Sequence, residues 1–141
     1  MDLRKVTNTC GGTTLVGAKL LNRNIIGVDI NPQALERCRD KTAFEWENGG
    51  QVYIKHGDAR NLHFVPNEGV DFICTHPPYA NIIQYSEDID GDLSHYKVKD
   101  FLEQMKPVAK ECYRVLKKKE SFVQFLWAIH AKRAVLFVSV K

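Results

Sequence analysis

The sequence lacks the features that mark secreted, membrane-spanning and zinc-binding proteins. Its four cysteines lie far apart with no C-x-x-C pair, and two fall inside apolar patterns. This pattern favours reduced, buried thiols over disulfides or zinc ligands. No apolar run approaches membrane-spanning length, and Met1 is followed by charged and polar residues instead of a signal peptide. These absences predict a cytoplasmic protein with no membrane segment and no metal site.

Strong charge and repetition are absent as well. The net charge of +3 is too small to demonstrate nucleic-acid binding, although it is compatible with an anionic substrate. We find no internal repeat and no low-complexity segment. A chain of 141 residues fits one domain with a real core.

What the chain does contain is an alternation of strand and helix patterns. The segments "NIIGVDI", "QVYIKHGDA" and "GVDFICT" are typical of strands, and "GGTTLVGAKLLNRN", "NPQALERCRD" and residues 97–117 are typical of helices. Asn31 and Pro32 suit the cap and first turn of the second helix, while Pro107 should kink the last helix or start a new one. The alternation predicts an α/β, Rossmann-like fold, with a mostly parallel sheet and helices on both faces.

One apolar stripe defines the buried face of the last predicted helix. Its members repeat at helical spacing. They are Phe101, Leu102, Met105, Val108, Cys112, Val115 and Leu116.

Polar and glycine residues follow the predicted strands, where ligands bind in such folds. Gly11 and Gly12 allow close approach of a ligand to the backbone, and Asp29 is positioned to accept hydrogen bonds from ribose hydroxyls. Asp58 follows the next strand and suits an adenine amino group. Each of these features also has a purely structural interpretation. The glycine pair can simply start a helix, Asp29 and Asn31 can cap the next helix, and Asp58 can belong to a Gly-Asp turn.

The segment "THPPY" follows the fourth predicted strand. Pro77 and Pro78 fix two φ angles and remove two backbone donors, which leaves nearby carbonyl groups able to accept from a ligand. Tyr79 supplies a flat face for stacking. The segment therefore suits a planar amino group, and a proline-stiffened loop with Tyr79 in the core is the structural alternative.

Three blocks together, "GGTTLVGAKLLNRNIIGVDINPQAL", "GDARNL" and "VDFICTHPPYANIIQYSEDIDGDLS", resemble the amino-group DNA methyltransferases, which use S-adenosylmethionine. The resemblance covers residues 11–118. It implies that Gly12 and Thr13 lie near the methionine part of the cofactor, that Asp29 holds the ribose and that Asp58 with Ala59 contacts the adenine. The remaining members of the predicted cofactor-binding set are Gly11 and Asn31.

The resemblance also implies a catalytic loop made of His76, Pro77, Pro78 and Tyr79. In such a loop a flipped-out base stacks on Tyr79, and its amino group donates to the Pro77 carbonyl and to the side chain at position 76. The family usually has Asp, Asn or Ser where this chain has His76. A neutral imidazole accepts one hydrogen bond only in the right tautomer, so His76 either assists catalysis or supports the loop.

The two ends of the chain depart from the family pattern. At the start, "RKVTNTCGG" replaces an apolar strand, an Asp-Pro-Phe and a Gly-x-Gly, so we expect a truncated N-terminus, with the first strand weak or missing, or weakened cofactor binding. No segment looks like a target-recognition domain. We therefore divide the chain into a methyltransferase-like domain, residues 1–119, and an atypical tail, residues 120–141.

The tail has two interpretations. The family typically continues with a string such as "GKFCAIFMGDTR", and this chain has "ESFVQFLWAIHA". One nucleotide sequence read one base apart can encode both, which suggests a frameshift near Glu120. Alternatively, "SFVQFLWAI" and "AVLFVSV" are two closing strands.

Three functional hypotheses follow. The first is methyl transfer from S-adenosylmethionine to an exocyclic amino group of a base in DNA. The second is methylation of RNA or of a protein glutamine amide, and the third is a non-catalytic remnant that acts as a binding module. DNA is the expected partner, with RNA as the alternative.

Overall fold

A computed structural model describes the backbone of residues 5–8, 12–75, 89–118, 121–129 and 132–140, and the side chains of residues 12–75 and 89–118. These residues form six strands, three helices and one short 3-10 helix. The strands are β1 (Lys5–Asn8), β2 (Ile25–Asp29), β3 (Val52–His56), β4 (Phe72–Thr75), β5 (Ser121–Ile129) and β6 (Lys132–Val140). The helices are α1 (Thr13–Leu20), α2 (Pro32–Thr42) and α3 (Val98–Val115), and a short 3-10 helix spans Leu93–His95.

The six strands form one sheet in the order β3-β2-β1-β4-β5-β6. The pairings among the first five are parallel, and β6 pairs antiparallel with β5. The prediction of a mostly parallel sheet is therefore confirmed. Residues 121–140 contribute β5 and β6, while the change of reading frame near Glu120 stays a hypothesis.

The first strand is present, so of the predicted alternatives a missing strand does not hold, and weakened cofactor binding stays a prediction. β1 lies between β2 and β4, with Val6 opposite both Ile26 and Ile73. The segment "KVTN" looks too polar for a central strand. Parallel pairing on both sides satisfies its backbone groups, and this pairing does not depend on a continuous apolar run.

Two buried clusters show that helices cover both faces of the sheet. Ile25 packs with Leu15 of α1 and Cys38 of α2. Its neighbour Ile26 belongs to the other cluster, which contains Val108 and further residues of α3. Because successive side chains of a strand point to opposite faces, α1 and α2 lie on one face and α3 on the other.

Helix α3 continues through Pro107, so of the two predicted alternatives no new helix starts there, and a kink stays a prediction. Buried residues before and after the proline, Phe101 and Val108, hold the helix against the sheet, and such packing outweighs the lost hydrogen bond. Leu102, predicted to be buried, is 50% exposed. It lies 100° around the helix from Phe101, beside the stripe and not within it.

The cysteines in the described part of the chain agree with the prediction of reduced thiols. Cys38 and Cys112 are buried, and neither they nor Cys74 form a disulfide. Burial raises the pKa of the Cys112 thiol to about 11, which keeps it protonated near neutral pH. No helix in the described ranges is both long and apolar enough to cross a membrane.

Candidate cofactor site

The candidate site lies at the edge of the sheet where β1 to β4 end. From β1 the chain proceeds outward to β2 and β3 on one side, and β4 begins the other side. The topological switch point is therefore between β1 and β4, where open α/β sheets bind their ligands. Gly12 caps α1, the helix after β1, and residue 76, the first of the predicted catalytic loop, follows Thr75, the last residue of β4. Three strand spacings, about 14 Å, separate β3 from β4.

Gly12 begins α1 in a backbone conformation that favours glycine. Its φ is +78°, and its carbonyl accepts from the Val16 amide at 3.1 Å. A Cβ at this position would lie 3.3 Å from Cys38 Sγ of α2. The glycine thus allows α1 to approach α2 closely, which supports the interpretation of the glycine pair as a structural helix start. It also leaves the start of α1 without a bulky side chain. The side chain of Thr13 is exposed, and Gly11 lies outside the described residues.

Asp29 is the last residue of β2, and Asn31 caps α2. The Asn31 side chain accepts from the Gln33 and Ala34 amides at 2.9 and 3.4 Å, which confirms the predicted cap. Asp29 Oδ1 accepts from the Asn31 amide at 2.9 Å. The half-buried Asp29 carboxylate is therefore oriented by the turn that starts α2, while a role of Asn31 toward the cofactor stays a prediction.

Asp58 follows β3, and its carboxylate binds an arginine that the sequence analysis did not single out. Arg60 donates from its backbone amide and Nε to Asp58 Oδ1 at 2.8 and 3.0 Å. Nε and Nη2 also donate to Oδ2 at 2.8 and 2.5 Å. The Asp58 carbonyl accepts from the Asn61 amide at 2.9 Å, so the predicted turn is present. Contact of Asp58 with an adenine stays a prediction, and the carboxylate already accepts from Arg60 with both oxygens. The side chain of Ala59, between them, is exposed.

Arg60 also reaches two distant segments. Nη1 donates to Gln104 Oε1 of α3 at 2.6 Å, and Nη2 donates to the Gly91 carbonyl at 3.3 Å. The hydrogen bond with Asp58 raises the pKa of Arg60, with a smaller contribution from Tyr96. The only local signal in the sequence was the pair of opposite charges two residues apart in "GDARNL".

His76, Pro77, Pro78 and Tyr79 lie outside the described residues, so the structure does not test the predicted catalytic loop. Within the described ranges, no group of three or more His, Cys, Asp or Glu side chains is arranged to hold a metal ion.

Comparison with known proteins identifies the family. The family described as UPF0020, RMKL-like methyltransferase domain, matches residues 10–138. The chain belongs to this family. A curated relative, the DNA adenine methyltransferase YhdJ of Escherichia coli, is 42% identical over 69 residues, which is 48% of this chain and 22% of that protein.

Solved structures agree with membership of the RMKL-like methyltransferase domain family at the level of the fold. A methyltransferase dependent on S-adenosylmethionine from Methanosarcina mazei superposes with a TM-score of 0.62 at 17% identity, over 89% of this chain and 53% of that one. A protein from Pyrococcus horikoshii gives 0.60 at 18% identity, over 88% and 48%. The chain thus spans about half the length of these structures and less of YhdJ.

The residues of this RMKL-like domain suit S-adenosylmethionine, the cofactor expected for it. A nucleoside needs a carboxylate near its ribose, and Asp29 ends β2 at the edge beside the switch point. Close approach of the ligand to the start of α1 needs a small residue, and Gly12 meets this requirement. The residue types at both positions therefore suit the cofactor, and their contacts with it stay a prediction.

Proposed function

We propose that this chain transfers a methyl group from S-adenosylmethionine to an exocyclic amino group of a base in DNA. The observation that carries the proposal is the convergence of three strand ends at the switch point. Gly12 begins the helix after β1, Asp29 ends β2, and Thr75 at the end of β4 is followed by His76 and then the Pro-Pro-Tyr segment. A cofactor site and an amino-binding loop would then share one edge.

The cofactor contacts that we propose follow the strand ends. Asp29 accepts from the ribose hydroxyls, and Gly11, Gly12 and Thr13 surround the methionine part. Asp58 and Ala59 border the adenine, and Asn31 supports the Asp29 carboxylate through its backbone amide. When bound, the cofactor supplies an electrophilic methyl group.

Four residues of the proposed loop hold the acceptor. Tyr79 stacks on the target base, and the Pro77 carbonyl accepts a hydrogen bond from its amino group. Pro78 stiffens the segment, and the neutral His76 side chain accepts the second hydrogen bond. The contribution of these residues is mostly positioning, which orients the nitrogen lone pair for attack.

DNA is the favoured acceptor because the YhdJ relative is named as a DNA adenine methyltransferase. Reduced thiols such as Cys38 and Cys112 also suit the cytoplasm as the proposed location. RNA and protein glutamine are the competing acceptors, and the same assay measures all three.

The test is transfer of labelled methyl groups from S-adenosylmethionine to separate pools of DNA, RNA and protein. We expect label in an amino-methylated base of the DNA. Tyr79→Ala should reduce transfer by about tenfold or more, since stacking on an aromatic side chain is worth about 1–3 kcal/mol per base. The matched control is Tyr113→Ala, because Tyr113 is 59% exposed on α3 and is not one of the predicted site residues.

Label confined to RNA or protein would overturn DNA as the acceptor. Absence of label from all pools, together with absence of cofactor binding, would favour the non-catalytic remnant. His76→Asp should raise transfer if the imidazole impairs the site, and loss of activity in this variant would instead support a specific role of His76.

A further inference from the structure

Arg60 connects three parts of the fold that are far apart in sequence. Its guanidinium binds Asp58 after β3, Gln104 of α3 and the carbonyl of Gly91. The Arg60 side chain is only 21% exposed. A planar group with five donors in fixed directions can make these contacts together, and an ammonium group cannot.

Gly91 lies directly against the candidate cofactor site. Its φ is +87°, and a Cβ built on it would lie 2.7 Å from Arg60 Nη2. The same position is 3.3 Å from Ile30 Cδ1 and 3.8 Å from Asp58 Oδ2. Gly91 therefore lies at the carboxyl ends of β2 and β3, against residues that follow each of these strands.

Local hydrogen bonds continue the segment toward α3. The Asp92 amide donates to the Ile89 carbonyl at 3.2 Å, and Asp92 Oδ1 accepts from the Ser94 amide at 2.9 Å. Asp92 and Ser94 are buried. These hydrogen bonds stabilise the local conformation of residues 89–94, and the contacts of Arg60 attach this segment to the sheet edge.

We infer that Arg60 is a positioning residue that anchors residues 89–92 across the ends of β2 and β3 and thereby sets the affinity for the cofactor without contacting it. The cofactor part of this inference rests on the proposed function. Asp58 then acts on the site through Arg60, because its two oxygens already accept from the guanidinium.

The first experiment measures anchoring without cofactor. Arg60→Lys keeps the positive charge beside Asp58 but cannot bridge to Gln104 and Gly91 at the same time. Amide hydrogen exchange of residues 89–96 should accelerate about tenfold in this variant, as expected when one or two hydrogen bonds to a charged group are lost. Unchanged exchange would overturn the inference.

The matched control is Arg114→Lys, which alters an arginine with a similar number of contacts at the other end of α3. Arg114 binds Glu111 and the carbonyls of Leu62 and Val65. It lies ten residues from Gln104, about 15 Å along the helix. Exchange of residues 89–96 should stay as in the unaltered chain, and equal acceleration in both variants would contradict a specific role of Arg60.

The second experiment measures cofactor affinity by calorimetry. Arg60→Lys should weaken binding of S-adenosylmethionine about fivefold or more, and in the transfer assay KM for the cofactor should rise more than kcat falls. Gly91→Ala disturbs the contact between Arg60 and residue 91 from the other side and should also weaken cofactor binding. Gly17→Ala, with no atom within 4 Å of its Cβ position, should leave the affinity unchanged. Faster exchange with unchanged affinity would overturn the cofactor role.

A substitute variant covers misfolding, and one outcome separates this inference from the proposed function. If Arg60→Lys fails to fold, Gln104→Ala removes a single contact of the Arg60 guanidinium, and a smaller change in exchange of residues 89–96 is expected. If the unaltered chain binds no cofactor while the exchange difference is present, the proposed function and the cofactor role of Arg60 are both overturned, and the anchoring is supported.

Discussion

Arg60 and Arg114 are two partly buried arginines with the same chemistry and different neighbours. Each binds a carboxylate with two nitrogens, Asp58 in one case and Glu111 in the other. The remaining donors of Arg114 reach carbonyls and a side chain of residues 62–67, a single loop. Those of Arg60 reach α3 and residue 91, beside the candidate cofactor site. The comparison indicates that Arg114 stabilises the fold and that Arg60 shapes a site.

The largest expected effect is a loss of cofactor affinity from a change at the carboxyl edge of the sheet, compared with a change at the amino edge. Asp29→Asn keeps an acceptor for the Asn31 amide but removes the charge, and hydrogen bonds to charged groups are worth about 1.5–3 kcal/mol. We expect affinity for S-adenosylmethionine, measured by calorimetry, to fall about 10- to 100-fold.

The control is Asp71→Asn, at the start of β4 on the opposite edge. Asp71 binds Lys117 at 2.8 Å, and both side chains are more than 40% exposed, so the change should affect neither affinity nor stability measurably. A similar loss of affinity in both variants would remove the distinction between the edges.

The next effect concerns Arg114. Arg114→Met leaves the Glu111 carboxylate, only 18% exposed, without its cationic partner and removes the hydrogen bonds from Arg114 to the carbonyls of Leu62 and Val65. Urea denaturation should show a loss of about 2–3 kcal/mol in the free energy of unfolding, with cofactor affinity unchanged. If the variant instead loses affinity and keeps its stability, the comparison of the two arginines is wrong.

The smallest effect is a dependence of stability on pH. The hydrogen bond from Arg114, assisted by the Leu62 amide, lowers the pKa of Glu111 below its ordinary value of 4.5. A carboxylate with a lowered pKa contributes stability above the unfolded pKa and loses it as the pH falls through the folded pKa. Glu111→Gln should therefore cost about 1 kcal/mol or less at pH 7, with the difference from the unaltered chain narrowing below pH 4.5. If the difference in the free energy of unfolding between the two chains is constant from pH 7 to pH 3, the lowered pKa of Glu111 is not its cause.

Local patterns predicted most of the fold, and contacts distant in sequence account for what they missed. Strand–helix alternation predicted the layers, and the residues Asn31-Pro32 predicted the cap of α2. β1 was missed because its pairing with β2 and β4 does not require apolar residues. Arg60 was missed because Gln104 and Gly91 lie 44 and 31 residues away, a distance at which no local pattern operates.

The most direct test of the account is a map of backbone amide chemical shifts during titration with S-adenosylmethionine. We predict changes at the carboxyl edge, at Gly12, Ile30, Ala59 and Gly91, with none at Gly50 or Asp71 on the amino edge. Changes centred on the amino edge, or no changes at saturating cofactor, would contradict a cofactor site at the switch point of this sheet.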